Sequence, residues 1–94
     1  MSASDAARKP VALGVGAGDA IGAAFARRFA AGGYSVAVAR RDAAKSAALI
    51  DEIKANGGTA KAYSTDARDE AATTDLFDAV ERDLGPIDVC LYNA

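Results

Sequence analysis

The fold of this chain is decided by residues 11–22, which read Val11-Ala12-Leu13-Gly14-Val15-Gly16-Ala17-Gly18-Asp19-Ala20-Ile21-Gly22. The first five residues form a short apolar run, which is typical of a strand buried on both faces of a sheet. Beyond the glycines, Ile21, Phe25 and Phe29 recur every four residues. This spacing predicts an amphipathic helix over about 20–31, which ends at the following pair of glycines.

The glycine-rich turn is expected at the junction between that strand and that helix. A helix N-terminus presents unpaired N–H groups and a partial positive charge, and glycines let the backbone approach a pyrophosphate without a Cβ in the way. The alternative is that the glycines only build a tight turn. Because further strand and helix units follow the turn, the pattern favours a nucleotide site.

The rest of the chain repeats the same unit. Residues 35–39 form a second apolar run, and Asp42 can cap the next helix, whose apolar stripe is Leu49, Ile50 and Ile53. Residues 59–65 alternate small residues with Lys61 and Tyr63, which predicts an outer strand. Asp69 can cap a third helix, with Leu76, Phe77, Val80 and Leu84 on one face, and residues 87–92 form a fourth strand. This order predicts an α/β fold with a parallel sheet and right-handed crossovers.

Length and composition exclude several classes of function. At 94 residues with a net charge of −2, the chain has room for one small core and offers no basic surface for nucleic acid. No apolar run approaches the ~20 residues that span a bilayer, and the polar residues 1–10 lack the apolar stretch of a secretory signal. We therefore expect a cytoplasmic location and no membrane partner. One Cys and no His leave no disulfide or metal cluster to propose.

Four markers, in order along the chain, carry a resemblance to the short-chain dehydrogenase/reductase family. Gly16 and Gly22 resemble the first and last glycines of the family's Thr-Gly-x-x-x-Gly-x-Gly signature. Asp66-Ala67 resembles its adenine-contacting Asp, and residues 91–94, Leu-Tyr-Asn-Ala, resemble its Asn-Asn-Ala-Gly motif. The resemblance implies a partial Rossmann-type doubly wound sheet of four strands, in the order 3-2-1-4, with three helices. It makes residues 10–94 the N-terminal half of a dinucleotide-binding domain, preceded by a flexible tail over 1–9.

The same resemblance implies a set of cofactor-binding residues. Asp66 would lie near the adenine amino group, the N–H of Ala67 would help to read the ring edge, and Asn93 would close over the cofactor. Two positions depart from the family. Val15 stands where Thr is usual, and Ala20 replaces the middle glycine, so its methyl group is expected to weaken phosphate binding while the additional Gly18 can compensate. The predicted cofactor-binding residues are Gly16, Gly18, Asp19, Ala20, Ile21, Gly22, Arg40, Arg41, Asp66, Ala67, Asn93 and Ala94.

The end of the second predicted strand indicates which nicotinamide cofactor is bound. In dinucleotide-binding folds an acidic residue at this place binds the ribose 2′-hydroxyl of NAD. Here the position carries Arg40, followed by Arg41. A guanidinium forms charge-assisted bonds with a 2′-phosphate, so NADP is favoured over NAD. Two observations stand against this: both arginines could simply solubilise a loop, and Asp19 adds a negative charge to the glycine turn.

No catalytic residues are predicted in this chain. Hydride exchange with a carbonyl needs a proton donor or acceptor, and the family uses Tyr with Lys four residues later, plus an upstream Ser. Tyr34 and Tyr63 are followed at that spacing by Val38 and Ala67, and Tyr92 stands two residues from the end. Cys90 is expected to be a small buried hydrophobe and not a nucleophile.

These observations leave three hypotheses for function. The first is that the chain is the nucleotide-binding portion of an NADP-dependent oxidoreductase acting on a hydroxyl/carbonyl pair, inactive without the remainder of a longer parent. The second is a stand-alone, non-catalytic module that senses nucleotide or binds protein; the reading frame beyond Ala94 would discriminate the two. The third is a methyl donor-binding domain, against which Arg40 argues. An apolar fourth strand at the edge of the sheet also predicts a homo-oligomer, through that strand or through uncovered helix faces.

Overall fold

A computed structural model describes residues 9–16 and 19–92, with the backbone alone described for Asp19. The predictions for Gly18, Asn93, Ala94 and most of the N-terminal tail fall outside these residues. Strands and helices alternate as β1 (Val11–Val15), α1 (Asp19–Ala31), β2 (Ser35–Arg40), a short 3-10 helix (Ala43–Ser46), α2 (Ala47–Ala55), β3 (Thr59–Ser64), α3 (Glu70–Asp83) and β4 (Ile87–Tyr92). The predicted elements are all present.

The four strands form one parallel sheet in the order β3-β2-β1-β4. This is the predicted order, and it confirms the partial Rossmann-type topology. The two interior strands are buried almost throughout, because helices cover both faces of the sheet. β3 is an outer strand, as its alternating sequence predicts.

Two apolar clusters form the core, one on each face of the sheet. On one face α3 contributes Leu76 and Val80, which pack on side chains of β1 and β2. On the other face α1 contributes Ala26, and α2 contributes Ile50 and Ile53. The stripes predicted for α2 and α3 therefore face the sheet, whereas α1 covers it through Ala26 and Phe29 and not through Ile21.

Gly14 allows α1 to pack closely on β1. A Cβ at this position would lie 3.1 Å from Cδ1 of Phe25, a distance tighter than most real Cβ contacts. The Phe25 ring packs in turn against Phe29, with 4.7 Å between the ring centroids. This close approach fixes the start of α1 beside the carboxyl end of β1, which is where the glycine turn lies.

The predicted N-caps are confirmed. The Asp42 carboxylate accepts a hydrogen bond from the N–H of Ala44 at 3.1 Å, although it caps the 3-10 helix that precedes α2 and not α2 itself. The Asp69 carboxylate accepts hydrogen bonds from the N–H groups of Ala71 and Ala72 at 2.9 and 3.3 Å. Each cap satisfies N–H groups that have no partner within the helix.

Two expectations from the sequence are wrong. Ile21 belongs to the apolar repeat of α1 but is 56% exposed. It lies in the first turn of the helix, whereas Ala26, further along α1, is fully buried. Cys90 is exposed and not buried. It is paired in register with Leu13, which is fully buried, but the residue of β4 that packs against the α3 cluster is Ile87, at the start of the strand. Partial desolvation still raises the pKa of the Cys90 thiol.

Over residues 9–16 and 19–92, no helix combines the length and the apolar character needed to cross a bilayer. In the same residues there is no group of three or more Cys, Asp or Glu side chains placed to hold a metal ion.

Candidate functional site

The glycine turn leaves β1 at Gly16, whose φ of +69° lies in the left-handed region that favours glycine. The N–H of Gly16 donates to the carbonyl oxygen of Ala39 at 3.1 Å, so the start of the turn is fixed to the neighbouring strand. Gly16, Ala20 and Ile21 are exposed and Gly22 is half-buried. The described part of the turn therefore lies open at the carboxyl edge of the sheet, where the first N–H groups of α1 also lie.

Strand register brings the predicted site residues to this same edge. Val15 is paired with Ala39, so Gly16 and Arg40 follow at neighbouring strand ends. Arg40 is paired with Ser64, and its carbonyl oxygen accepts the N–H of Thr65 at 2.9 Å. Asp66 follows directly. Residues 50 positions apart in the sequence thus become neighbours, because parallel strands end at one side of the sheet.

These strand ends line an open cavity of about 170 Å³, which we call the adenine cavity because the family resemblance implies adenine contacts for Asp66 and Ala67. Its volume is several times the roughly 30 Å³ share of a water molecule. The lining combines three guanidinium groups with one carboxylate. The residues that line the adenine cavity are Gly16, Arg40, Arg41, Thr65, Asp66, Ala67 and Arg68.

A second cavity, of about 300 Å³, lies between α1 and α2 and is called here the interhelical cavity. Arg40 lines both cavities, whereas Arg41 lines the adenine cavity and Lys45 the interhelical one. Within the interhelical cavity the Arg27 guanidinium forms a two-point contact with Glu52, at 2.7 and 3.1 Å, and lowers the pKa of Glu52. Both arginines therefore line the adenine cavity, and Arg40 also lines the interhelical cavity.

The Asp66 carboxylate is bound by a single neighbour. Its Oδ1 accepts the backbone N–H and the Nε of Arg68 at 3.0 and 3.2 Å, and its Oδ2 accepts Nη2 at 3.3 Å. These hydrogen bonds, with the charges of Arg68 and Arg41, hold the pKa of Asp66 below its ordinary value. In its ionised form the side chain acts only as an acceptor. Its hydrogen bond with the N–H of Arg68 forms a turn at the edge of the adenine cavity.

Tyr92 is a residue of this region that the sequence did not single out. Its hydroxyl donates to the carbonyl oxygen of Ala67 at 2.5 Å, across a separation of 25 residues. The signal was present in the sequence, because Tyr92 lies within residues 91–94, which resemble the family's Asn-Asn-Ala-Gly motif, but that resemblance implied a role for Asn93 and none for Tyr92. Arg68 and Lys45 were also missed, since neither belongs to a motif.

One pair of side chains, Tyr63 and Lys61, has the chemical types that the family uses for proton transfer. The Nζ of Lys61 lies 5.4 Å from the centroid of the Tyr63 ring, and both side chains donate to Oδ2 of Asp83. Burial and the hydrogen bond to Asp83 raise the pKa of Tyr63. A general acid or base needs its pKa moved towards neutrality, so this pair is a structural contact and not a proton-transfer site.

The comparisons with known proteins agree with this geometry. Residues 10–94 match the short chain dehydrogenase family over most of the chain. The fold and site define a Rossmann-type nucleotide-binding architecture. The chain belongs to the short-chain dehydrogenase family.

Two curated relatives illustrate the relationship. The chain is 35% identical over 79 residues to 2,3-dihydro-2,3-dihydroxybenzoate dehydrogenase of Bacillus subtilis, a match that covers 84% of this chain and 30% of that protein. It is 40% identical to an uncharacterized oxidoreductase of Mycobacterium tuberculosis, over 97% of this chain and 28% of that one. The chain thus spans about a third or less of the curated relatives it matches.

Solved structures show the same partial coverage. A metagenomic short-chain oxidoreductase in complex with NADP superposes with a TM-score of 0.84 at 34% identity, over 93% of this chain and 39% of that one. A short-chain dehydrogenase from Rhodopseudomonas palustris superposes with a TM-score of 0.79 at 42% identity, over 88% and 39% of the two chains.

Proposed function

We propose that this chain is the NADP-binding portion of a short-chain dehydrogenase/reductase-like oxidoreductase. The observation that carries the proposal is the convergence of Gly16, Arg40 and Asp66 on one cavity at the carboxyl edge of the sheet. In open α/β sheets, ligands bind outside the carboxyl ends of the strands. The cavity has a turn suited to a diphosphate on one side and a carboxylate suited to an adenine amino group on the other.

Arg40 supports the choice of NADP over NAD. It is the last residue of β2 and lines both the adenine cavity and the interhelical cavity. It therefore lies between the proposed adenine site and the open space of the interhelical cavity. A 2′-phosphate on the adenosine ribose would enter that space, where Lys45 adds a second cation. Two similar solved structures also favour this choice, since one is a complex with NADP and the other, a blue fluorescent protein from a metagenomic library, is a complex with NADPH.

The reaction of the longer protein would be hydride transfer between NADP and a hydroxyl/carbonyl substrate. The nicotinamide supplies the hydride chemistry when it is bound. The residues of this chain bind and orient: Gly16 and the start of α1 hold the diphosphate, Arg40 holds the 2′-phosphate, and Asp66 and Ala67 hold the adenine. None of the described residues is placed to move a proton on the substrate, so substrate and acid–base chemistry are assigned to the remainder of such a protein.

The test is calorimetric titration of the 94-residue chain with NADP⁺, NAD⁺ and 2′-phospho-ADP-ribose. We expect NADP⁺ and 2′-phospho-ADP-ribose to bind more tightly than NAD⁺. Hydrogen bonds to charged groups are worth about 1.5–3 kcal/mol, so Arg40→Asp should weaken NADP⁺ binding roughly 10- to 100-fold and reverse the preference.

The matched control is Arg41→Asp, which makes the same charge change one residue along the chain. Because Arg41 lines only the adenine cavity, this variant should keep NADP⁺ ahead of NAD⁺. Tighter binding of NAD⁺ by the unchanged chain would contradict the choice of NADP, and the lack of binding by all three ligands would contradict the binding function.

We also propose that the chain self-associates through β4. This strand is the outer strand on its side of the sheet, and Cys90 and Tyr92 are exposed along it. An outer strand presents unpaired N–H and C=O groups, which pair readily with a second chain when the strand is apolar.

A further inference from the structure

The segment from Asp66 to Arg68 separates two cavities. On one side lies the adenine cavity, of about 170 Å³. On the other side lies a cavity of about 320 Å³ that is lined by the start of α3 and by Tyr92. Ala67 and Arg68 line both. Ala67 packs at the edge of the core cluster, whereas the Arg68 side chain is exposed. Because the segment has open space on each side, its orientation also depends on the hydrogen bonds that hold it.

The peptide group between Ala67 and Arg68 is held at both ends. Its carbonyl oxygen accepts the hydroxyl of Tyr92 at 2.5 Å, from the side of the larger cavity. Its N–H donates to Oδ1 of Asp66 at 3.0 Å. The plane of a peptide group is rigid, so two opposed hydrogen bonds fix its orientation. The adjoining peptide, which carries the N–H of Ala67, shares the Cα of Ala67 with this fixed group, so its rotation is limited to the dihedral angles of one residue.

Tyr92 is well placed to serve as the fixed partner. It is the last residue of β4, and it is paired in the sheet with Val15, which is fully buried. Tyr92 is itself 47% exposed, so about half of the residue remains in contact with solvent. The hydroxyl therefore connects a strand end, whose position the sheet determines, to a loop whose position the sheet does not determine.

We propose that Tyr92 is a positioning residue for adenine recognition, which holds the 66–68 segment so that the Asp66 carboxylate and the Ala67 N–H face the purine edge. This inference rests on the proposed function. It adds that adenine selectivity depends on a hydroxyl on the far side of the loop, which need not touch the nucleotide. Removal of the hydroxyl releases the Ala67 carbonyl and lets the segment rotate.

The first experiment compares Tyr92→Phe with the unchanged chain in titrations with NADP⁺ and deamino-NADP⁺, in which the purine amino group is replaced by a carbonyl. We expect the variant to lose about three- to tenfold in affinity for NADP⁺ and less for deamino-NADP⁺, because one neutral hydrogen bond is removed and the amino-group contact is the part that it positions. The ratio of the two affinities therefore shrinks. An equal loss for both ligands, or no loss, would overturn the proposal.

The matched control is Tyr34→Phe, which removes a phenolic hydroxyl at the amino end of β2, away from the strand ends that line the adenine cavity. Tyr34 precedes β2 and packs edge-to-face on Phe29, with 4.9 Å between ring centroids. The control should leave both affinities unchanged. A change in the control equal to that in Tyr92→Phe would also overturn the proposal, because the effect would then be general.

The second experiment needs no nucleotide. Amide hydrogen exchange at Arg68 should be about three- to tenfold faster in Tyr92→Phe, while exchange in β1 stays unchanged, because loss of one hydrogen bond frees the loop and not the sheet. Equal exchange at Arg68 in the two proteins would overturn the positioning role. If the unchanged chain binds neither dinucleotide, the proposed function fails, and the exchange measurement decides the role of Tyr92 on its own.

Discussion

β1 and β4 are neighbours in the sheet and are both apolar in sequence, yet they have different surroundings. Leu13 of β1 is fully buried, and its register partner Cys90 of β4 is exposed. The cause is the position of α3, whose Leu76 and Val80 pack over β1 and β2, while β4 adds to that cluster through Ile87 and not through Cys90. The burial of a strand therefore depends on the strands and helices that pack against it. An apolar sequence alone shows that a strand can be buried, and not that it is.

The two outer strands, β3 and β4, differ in how their exposed edges are protected. β3 carries Lys61 and Tyr63, which are both tied to Asp83 at the end of α3. A charged residue and a cross-link to a helix are common protections of an edge strand. β4 instead places its one charged residue, Asp88, at an irregularity beside β1, where its carboxylate accepts the N–H of Val11 at 2.8 Å. Its remaining length is apolar or aromatic, so β4 has the character of a strand that pairs on both sides.

The largest expected effect is in stability, for the same substitution in the two strands. Leu13→Ala removes a fully buried side chain and should lower the free energy of unfolding by about 3 kcal/mol. Leu91→Ala acts on a half-buried side chain of β4 and should cost about 1 kcal/mol. Urea unfolding followed by circular dichroism measures both. Equal losses at the two positions would break the comparison, and would indicate that β4 is covered in solution.

An intermediate effect is expected for association through β4. Sedimentation of the unchanged chain at tens of micromolar, under reducing conditions, should show dimers or larger species. Cys90→Lys places a charge at the middle of the exposed strand and should weaken association about tenfold, which is about 1.4 kcal/mol. Cys90→Ser controls for loss of the thiol and should associate like the unchanged chain. A clean monomer before any substitution would remove the proposed association.

The smallest effect is expected in the acid stability of the chain, at the contact between β3 and Asp83. The hydrogen bonds from Lys61 and Tyr63 lower the pKa of Asp83 from 3.8 to about 2. Because the pKa is lower in the folded chain, the stability that this group contributes is complete above about pH 3.8 and is lost as the pH falls towards 2. Asp83→Asn should therefore flatten the fall in the free energy of unfolding between these pH values.

Asp78→Asn, at an exposed position of the same helix, is the control and should keep the acid-dependent fall. A slope that is unchanged in Asp83→Asn would show that the contact with β3 does not contribute to stability in solution.

The sequence by itself determined the elements and their order. The apolar run of β1, the glycine turn, the repeats of Phe25 and Phe29 and the caps at Asp42 and Asp69 are local patterns, and each acts over a few residues through backbone geometry and hydrogen bonding. The topology followed because parallel strands joined by helices allow few arrangements. The resemblance to the family then predicted the motif residues that line the adenine cavity, which are Gly16, Asp66 and Ala67.

Tertiary structure alone decided which side chains meet. Strand register and the reach of α3 determine the contact of Tyr92 with Ala67, the cluster around Asp83 and the convergence of Gly16, Arg40 and Asp66 on one cavity. These are contacts between residues far apart in the chain, and no local pattern specifies them. Their physical origin is the packing of the whole sheet, which sets the distance between side chains that the sequence leaves separate.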